Sequence, residues 1–267
     1  MEVMAHPHGS FCLPELNTPD MELGKSFYGK FFAWKAVDIP GATGGHSFFQ
    51  LQGKDVAGLR RAEQGPHFWL SYLSIGSADR AAARAQELGA TLRAAPFDMP
   101  GTGRLSVLQD PTGGVVGLWE ARERHGAQLV EQPGTMWWNE LLVHDVPAAR
   151  RFYSGLFGWS TMDTHVPNGP YTIFTLGAGQ VAGLIRIGPD WGPVMPHWQV
   201  FFAVDDCDAG IARAKALGGS LVFGPQDVPN AGRFAVLTDA GNAVFAIMKP
   251  ASLVPRQDDP AEGGRGW

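Results

Sequence analysis

Apolar residues recur along this chain at two alternating periods. In "DMELGKSFYGKFFAW", residues 20–34, the apolar positions Leu23, Phe27, Phe31 and Trp34 fall three or four apart. That is the spacing of one face of a helix, and Asp20 stands where a side-chain cap on the first turn belongs. The stretch "CLPELN" before it and "SFFQL" and "VAGLR" after it read as short strands. The order then returns. "HFWLSYLSI" predicts a strand, Ser77 a cap and "ADRAAARAQEL" a helix closed by Gly89; "RLSVLQD" and "VVGLWE" predict strands parted by the turn "DPTGG".

The pattern is also repeated on a larger scale. Residues 134–159, "GTMWWNELLVHDVPAARRFYSGLFGW", restate "GSFCLPELNTPDMELGKSFYGKFFAW" near the start. An offset of 125 pairs Glu15 with Glu140, Asp20 with Asp145, Tyr28 with Tyr153 and Trp34 with Trp159. It also pairs "VAGL" at 56 with "VAGL" at 181. Later the offset becomes 129, pairing Trp69 with Trp198, Arg104 with Arg233 and Asp110 with Asp239, so four residues are inserted between the blocks. The chain therefore predicts four βαβββ modules in two homologous halves, an α+β architecture. The halves run over 10–122 and 134–250, the polar stretch at 123–133 links them, and the Pro/Gly/Asp-rich end at 251–267 is expected to form a flexible tail.

Composition narrows the function. Two domains suit 267 residues, and 45% hydrophobic with 18% charged residues is a globular balance. A formal charge of −5 argues against a basic nucleic-acid groove. Cys12 and Cys207 are far apart with no metal-type spacing, which fits a reducing compartment. The first residues, "MEVMAHPHGS", lack a basic then apolar leader, and no run approaches a membrane span, so a cytoplasmic protein is expected. His6 and His8 read as solvated. The 9 tryptophans suit either a core or an apolar ligand pocket.

The helix "DxxxAxxFYxxLFGW", the strand "W(x)5VDD" ahead of "ARAxALGG", and "DVPxxGRFAVLxDxxGxxF" together resemble the vicinal oxygen chelate superfamily. That superfamily includes glyoxalase I, extradiol dioxygenases, and fosfomycin- and bleomycin-resistance proteins. The likeness spans about residues 10–250 and is narrowest with tandem glyoxalase-like proteins of actinobacterial type. It implies two glyoxalase-like domains, each a curved mixed sheet of eight strands with a concave cup. Modules pair either in sequence order or crosswise between the halves. The resemblance further implies metal-ligand positions at the cup floor, which align with Leu13, Gly58, Leu70 and Gly117 in the first half. In the second half they align with Trp138, Gly183, Gln199 and Ala246. Only Gln199 has a donor side chain, so no metal and no other cofactor is expected. The surviving alternative is a shifted ion site of Glu140, His197 and Gln199.

Strand side chains alternate, so residues two away from those positions also face inward. Glu15, Glu140 and His197 are the expected acid–base groups, with Arg60 pairing Glu15 and His197 pairing Glu140. Trp138, Gln199, Phe201, Met248, Arg60, Tyr72 and Trp119 are the expected ligand contacts. The small residues at 58, 117, 183 and 246 leave floor space for a flat organic ligand. Trp34 and Trp159 read as packing, Arg104 and Arg233 as solvated loop residues, and Asp98 and Asp227 as turn formers. The expected partner is an aromatic or polycyclic small molecule, with no nucleic acid or membrane, bound by a monomer or homodimer. Three functions follow. One is a metal-independent lyase, isomerase or tailoring enzyme of specialised metabolism, one a protein that sequesters an antibiotic, and one a metal-dependent glyoxalase or dioxygenase.

Overall fold

The computed structural model describes residues 1–39, 45–63 and 65–251. The tail expected at 251–267 lies outside the described residues except for Ala251. The first half runs β1 (Phe11–Thr18), α1 (Met21–Phe32), β2 (Lys35–Asp38), β3 (His46–Leu51), β4 (Lys54–Arg61), β5 (Phe68–Ser74), α2 (Ala78–Glu87), β6 (Thr91–Met99), β7 (Gly103–Gln109) and β8 (Val115–Ala121). The second half repeats it as β9 (Met136–Val143), α3 (Val146–Phe157), β10 (Ser160–Val166), β11 (Gly169–Leu176), β12 (Gly179–Arg186), β13 (His197–Ala203), α4 (Cys207–Ala216), β14 (Ser220–Val228), β15 (Gly232–Thr238) and β16 (Val244–Pro250).

The helices start where their caps dictate. The carboxylate of Asp20 accepts the Leu23 amide at 2.9 Å and that of Asp145 accepts the Ala148 amide at 2.9 Å, satisfying first-turn donors that have no helical partner. Ser77 and Asp206 do the same for α2 and α4. Gly158 ends α3 with φ +70°, a conformation that Ala33 adopts at the same point of α1.

Each half forms one eight-stranded mixed sheet, in the orders β2-β3-β4-β1-β5-β8-β7-β6 and β10-β11-β12-β9-β13-β16-β15-β14. Modules therefore pair in sequence order within each half. The central contact is antiparallel, β1 with β5 and β9 with β13, and parallel strands β4 and β8, or β12 and β16, flank it. The outer strands β2, β6, β10 and β14 carry the weakest alternation in the sequence because they bury the least: β10 reads four exposed residues in its first four. Asp98 and Asp227 lie inside β6 and β14, not in turns. They share Arg104 and Arg233 with Asp79 and Asp208 at the starts of α2 and α4, so both arginines, expected as solvated loop residues, clamp a helix to its sheet.

The repeated aromatic residues build the seam between the halves. The Tyr28 hydroxyl donates to Asp239 at 3.0 Å and accepts the Trp69 indole N–H at 2.8 Å. The Tyr153 hydroxyl donates to Asp110 at 2.7 Å and accepts the Trp198 N–H at 2.8 Å. Each half thus ties its first helix to the other half's last turn. Trp34 and Trp159 donate across the same seam to the carbonyls of Gly134 and Gly9, at 2.8 and 2.9 Å. One hydrophobic core runs through both halves, and it includes the residues that fill the concave face of the first sheet.

The N-terminal segment departs from expectation. His6 is hydrogen-bonded to the Ala127 carbonyl at 2.8 Å, and burial lowers its pKa. Glu2 bridges to Leu129, so this segment packs along the connector between the halves.

Candidate functional site

The strand register places equivalent residues of the two halves in matching rows across the cup faces. One row holds Phe48, Gly58, Glu15 and Leu70 in the first sheet, and Ile173, Gly183, Glu140 and Gln199 in the second. The next row holds Leu13, Tyr72, Gly117 and Val107 against Trp138, Phe201, Ala246 and Val236. Glu15 and Glu140 are thus the same position in two separate cups.

The first cup is filled by its own side chains. All eight residues of β1 are buried, although alternate ones face the cup, and Glu15, Tyr72 and Trp119 have no exposure at all. The Tyr72 hydroxyl donates to Glu15 Oε1 at 3.2 Å, and His46 Nε2 lies 3.2 Å from Glu15 Oε2. The floor space expected above the glycines is taken. A Cβ on Gly117 would stand 2.2 Å from the Tyr72 ring, and one on Gly58 would stand 3.0 Å from Glu15 Cγ. The connector then covers the bowl, because Trp119 donates to the Arg124 carbonyl at 3.1 Å while the Arg124 guanidinium lies 4.4 Å from the Phe48 ring centre. The expected Arg60–Glu15 pair is replaced. Arg60 bonds Tyr72 and lies over Phe97, and burial, with the Glu15 charge, holds the Tyr72 phenol well above its ordinary pKa. A cavity of about 400 Å³ between the N-terminal segment and the connector is lined by Asp55 and Arg124, which pair with each other.

The second cup leaves more of its lining partly exposed. Along β9 the buried and half-buried residues alternate, and Trp138, Glu140 and Leu142 are half-buried on the cup side. A bulge in the β9–β13 register falls at Trp137, so both tryptophans pack with a separate apolar patch of Phe201, Ala246 and Met248, which Phe234 and Val236 extend. Glu140 is bonded by the Tyr171 hydroxyl, and that hydroxyl accepts the Trp138 N–H at 3.0 Å. Gly183 permits this arrangement, since a Cβ there would stand 1.7 Å from the Tyr171 oxygen. Desolvation, only partly offset by Tyr171, raises Glu140 from the ordinary 4.5 to about 7. Such a carboxyl exchanges protons readily at neutral pH. His197 stands opposite Leu142, not Glu140, with Nδ1 on the Met195 carbonyl at 2.8 Å, so the expected His197–Glu140 pair gives way to Tyr171. Gln199 is buried beside Glu140 and gives its amide to the Val200 carbonyl.

Tyr171 was within reach of the sequence. The offset that aligns Glu15 with Glu140 also aligns His46 with Tyr171, so each carboxylate meets its neighbour from the same position of the repeat. Trp137 and Phe234 left a fainter signal, "WW" where the first half has "CL".

The divalent ion that the fold implies does not fit these donors. Seven of the eight aligned positions are Leu, Gly, Trp or Ala. The first cup brings together one carboxylate and one imidazole, and the second one carboxylate with an amide and a phenol. Among the described residues, no three His, Cys, Asp or Glu side chains converge.

Comparison with known proteins agrees with this fold. The model of the Glyoxalase/Bleomycin resistance protein/Dioxygenase superfamily matches residues 10–118 and 140–247. CFP32 of Mycobacterium tuberculosis, which carries a glyoxylase name, is 36% identical over 245 residues, covering 89% of this chain and 93% of its own. The anthracycline biosynthesis protein DnrV of Streptomyces peucetius is 34% identical over 253 residues, covering 88% and 91%. The crystal structure of a Mn(II)-bound glyoxalase from Novosphingobium aromaticivorans superimposes with a TM-score of 0.62 at 19% identity, over 91% of this chain and 82% of that one. No described helix is long and apolar enough to cross a membrane.

Proposed function

The chain belongs to the Glyoxalase/Bleomycin resistance protein/Dioxygenase superfamily, and from that premise we propose that it binds a flat aromatic metabolite of antibiotic-type metabolism in its second cup and processes it without a resident metal. The observation that carries this reading is the contrast between the cups. One has its floor covered and its carboxylate sealed, whereas the other leaves Glu140 half-buried among aromatic walls. The anthracycline name of the Streptomyces relative supports a fused-ring ligand. Trp138, Phe201 and Met248 supply the flat apolar surface such a ligand needs.

Glu140 is the acid–base group of this reading. With a pKa near 7 it accepts a proton from a carbon beside a carbonyl, or from a hydroxyl, and returns it elsewhere. Tyr171 holds the carboxylate in place, itself held by Trp138. That chemistry suits an isomerase, a lyase or a tailoring step. Glu15 and His197 have no part in it, because Glu15 is sealed and His197 faces another row.

The test is titration of the purified full chain with a neutral tetracyclic anthracyclinone, followed by tryptophan quenching, together with elemental analysis. Trp138→Ala is expected to weaken binding about tenfold or more, the loss of one aromatic wall, while Trp119→Phe in the first cup leaves it unchanged. Glu140→Gln is expected to abolish turnover and spare affinity. Loss of affinity alone would make the protein a sequestering one, and a stoichiometric divalent ion required for binding would overturn the reading.

A further inference from the structure

Among the described residues, no cation pairs with Glu140, and the group that acts on it is the Tyr171 phenol. Its cross-strand neighbours, Gly183 and Gln199, are uncharged. Three arginines of the second half are engaged away from Glu140. Arg150 pairs with Asp163, Arg233 with Asp208 and Asp227, and Arg213 donates to the Phe31 carbonyl. In the first cup, by contrast, the equivalent carboxylate has His46 beside it and Arg60 bonded to the same tyrosine. The second cup has put Ile185 where Arg60 stands and Tyr171 where His46 stands. Both exchanges remove a positive or protonatable group facing the carboxylate.

The walls have the same electrostatic sense. Aromatic faces carry negative quadrupoles and attract cations, more so where water is excluded. Phe201, Phe234 and Phe223 form a ladder, with ring centres 5.8 and 5.9 Å apart, that runs from the cup floor to the outer strand β14. Phe223 is 44% exposed there, and the equivalent residue of the first half is Ala94. A bowl whose carboxylate meets no cation among the described residues and whose rings are laid in a row repels a carboxylate ligand and suits a long molecule with one positive end.

We propose that the second cup is built for an elongated multi-ring molecule bearing a basic amine, its ammonium seated at Glu140 and its rings lying along Phe201, Phe234 and Phe223. This rests on the second cup being the ligand site, and it adds the charge and orientation of the ligand. The ligand supplies the counter-charge, and its ammonium makes an ion pair that no described residue makes with Glu140.

Three probes that share one ring system test it on the full chain at pH 8: 9-(methylaminomethyl)anthracene, 9-anthracenemethanol and anthracene-9-carboxylate. Tryptophan quenching is expected to show the amine binding about tenfold tighter than the alcohol, the scale of one partly desolvated ion pair, and the carboxylate weakest. Glu140→Gln is expected to bring the amine to the affinity of the alcohol without moving the alcohol itself. Phe223→Ala is expected to weaken amine and alcohol by equal factors. Equal affinity of amine and alcohol for the wild-type chain, or a preference for the amine that survives Glu140→Gln, overturns the charge assignment and leaves the aromatic site standing. Failure of all three probes to bind overturns both.

Discussion

At one position of one repeated strand, Glu15 and Glu140 sit in different surroundings. Glu15 is sealed beneath Tyr72, His46 and a connector that runs over its bowl, while Glu140 looks out past two tryptophans. The backbone register around them is the same. What differs is where the large side chains stand. In the first half Phe48, Tyr72 and Trp119 project into the centre, and the glycines at 58 and 117 give them room. In the second half Ile173 and Met248 take the places of Phe48 and Trp119, and the rings move to the walls as Trp138 and Phe234. A duplicated cup can thus become a core or a site by exchanging a few side chains within one unchanged sheet.

The strongest way to break this comparison is to remove a tryptophan from each cup. Trp119 is fully buried, so Trp119→Ala is expected to destabilise the chain by about 3–5 kcal/mol, the usual cost of emptying a large core site. Trp138 is half-buried, so Trp138→Ala is expected to cost about 1 kcal/mol while weakening ligand binding about tenfold or more. Urea midpoints measured with an unchanged slope decide it. Equal losses would mean that both cups are structural.

Next in size is the effect of replacing each carboxylate. Burial raises Glu140 from 4.5 to about 7 in the folded chain. The folded state therefore keeps a proton that the unfolded state has released. Stability from this group is full below pH 4.5 and is lost as pH rises through 7. At about 1.4 kcal/mol per unit the loss approaches roughly 3 kcal/mol by pH 8, less whatever solvent reaching the cup screens. Glu140→Gln is expected to flatten that decline and to stabilise the chain at pH 8. Glu15→Gln is expected to act with the opposite sign, costing about 1–3 kcal/mol, because it puts an amide with an extra donor into the sealed site where Glu15 accepts the Tyr72 hydroxyl. Denaturation curves at pH 5 and pH 8 compare them, and a common sign for the two variants would erase the distinction between the cups.

Much of this was legible in the sequence, for physical reasons. Caps at Asp20, Ser77 and Asp145, the turn before β8, and the two offsets fix the elements, since each is set by residues close in the chain. The inward position of Glu15 and Glu140 was expected from the ligand positions that the resemblance implies, with strand alternation counted from them. Which cup is full did not. It depends on Tyr72 lying across Gly117 and on Arg124 reaching Phe48 from 76 positions away, contacts that leave no local period. The same holds for Asp110 and Asp239, which read as turn residues and also accept the tyrosines of the opposite half. His6 read as solvated because its partner, Ala127, lies beyond the first domain.

The seam gives the smallest prediction and the sharpest control, because it should be blind to the difference between the cups. Tyr28 and Tyr153 each donate to an aspartate of the other half and accept an indole N–H of their own. Both are fully buried. Removing either hydroxyl leaves a buried indole donor without an acceptor, which costs about 1–2 kcal/mol. Tyr28→Phe and Tyr153→Phe are therefore expected to lower stability equally, to within about 0.5 kcal/mol, and to leave binding of the anthracene probes unchanged. Trp69 and Trp198 stand one register step from Leu70 and Gln199 and so on the opposite face of each sheet, where these hydroxyls act through the packing of the halves. If Tyr153→Phe alone weakened the probes, the second cup would owe its shape to the seam as well as to its own side chains, and the two halves would differ in their joints as well as in their linings.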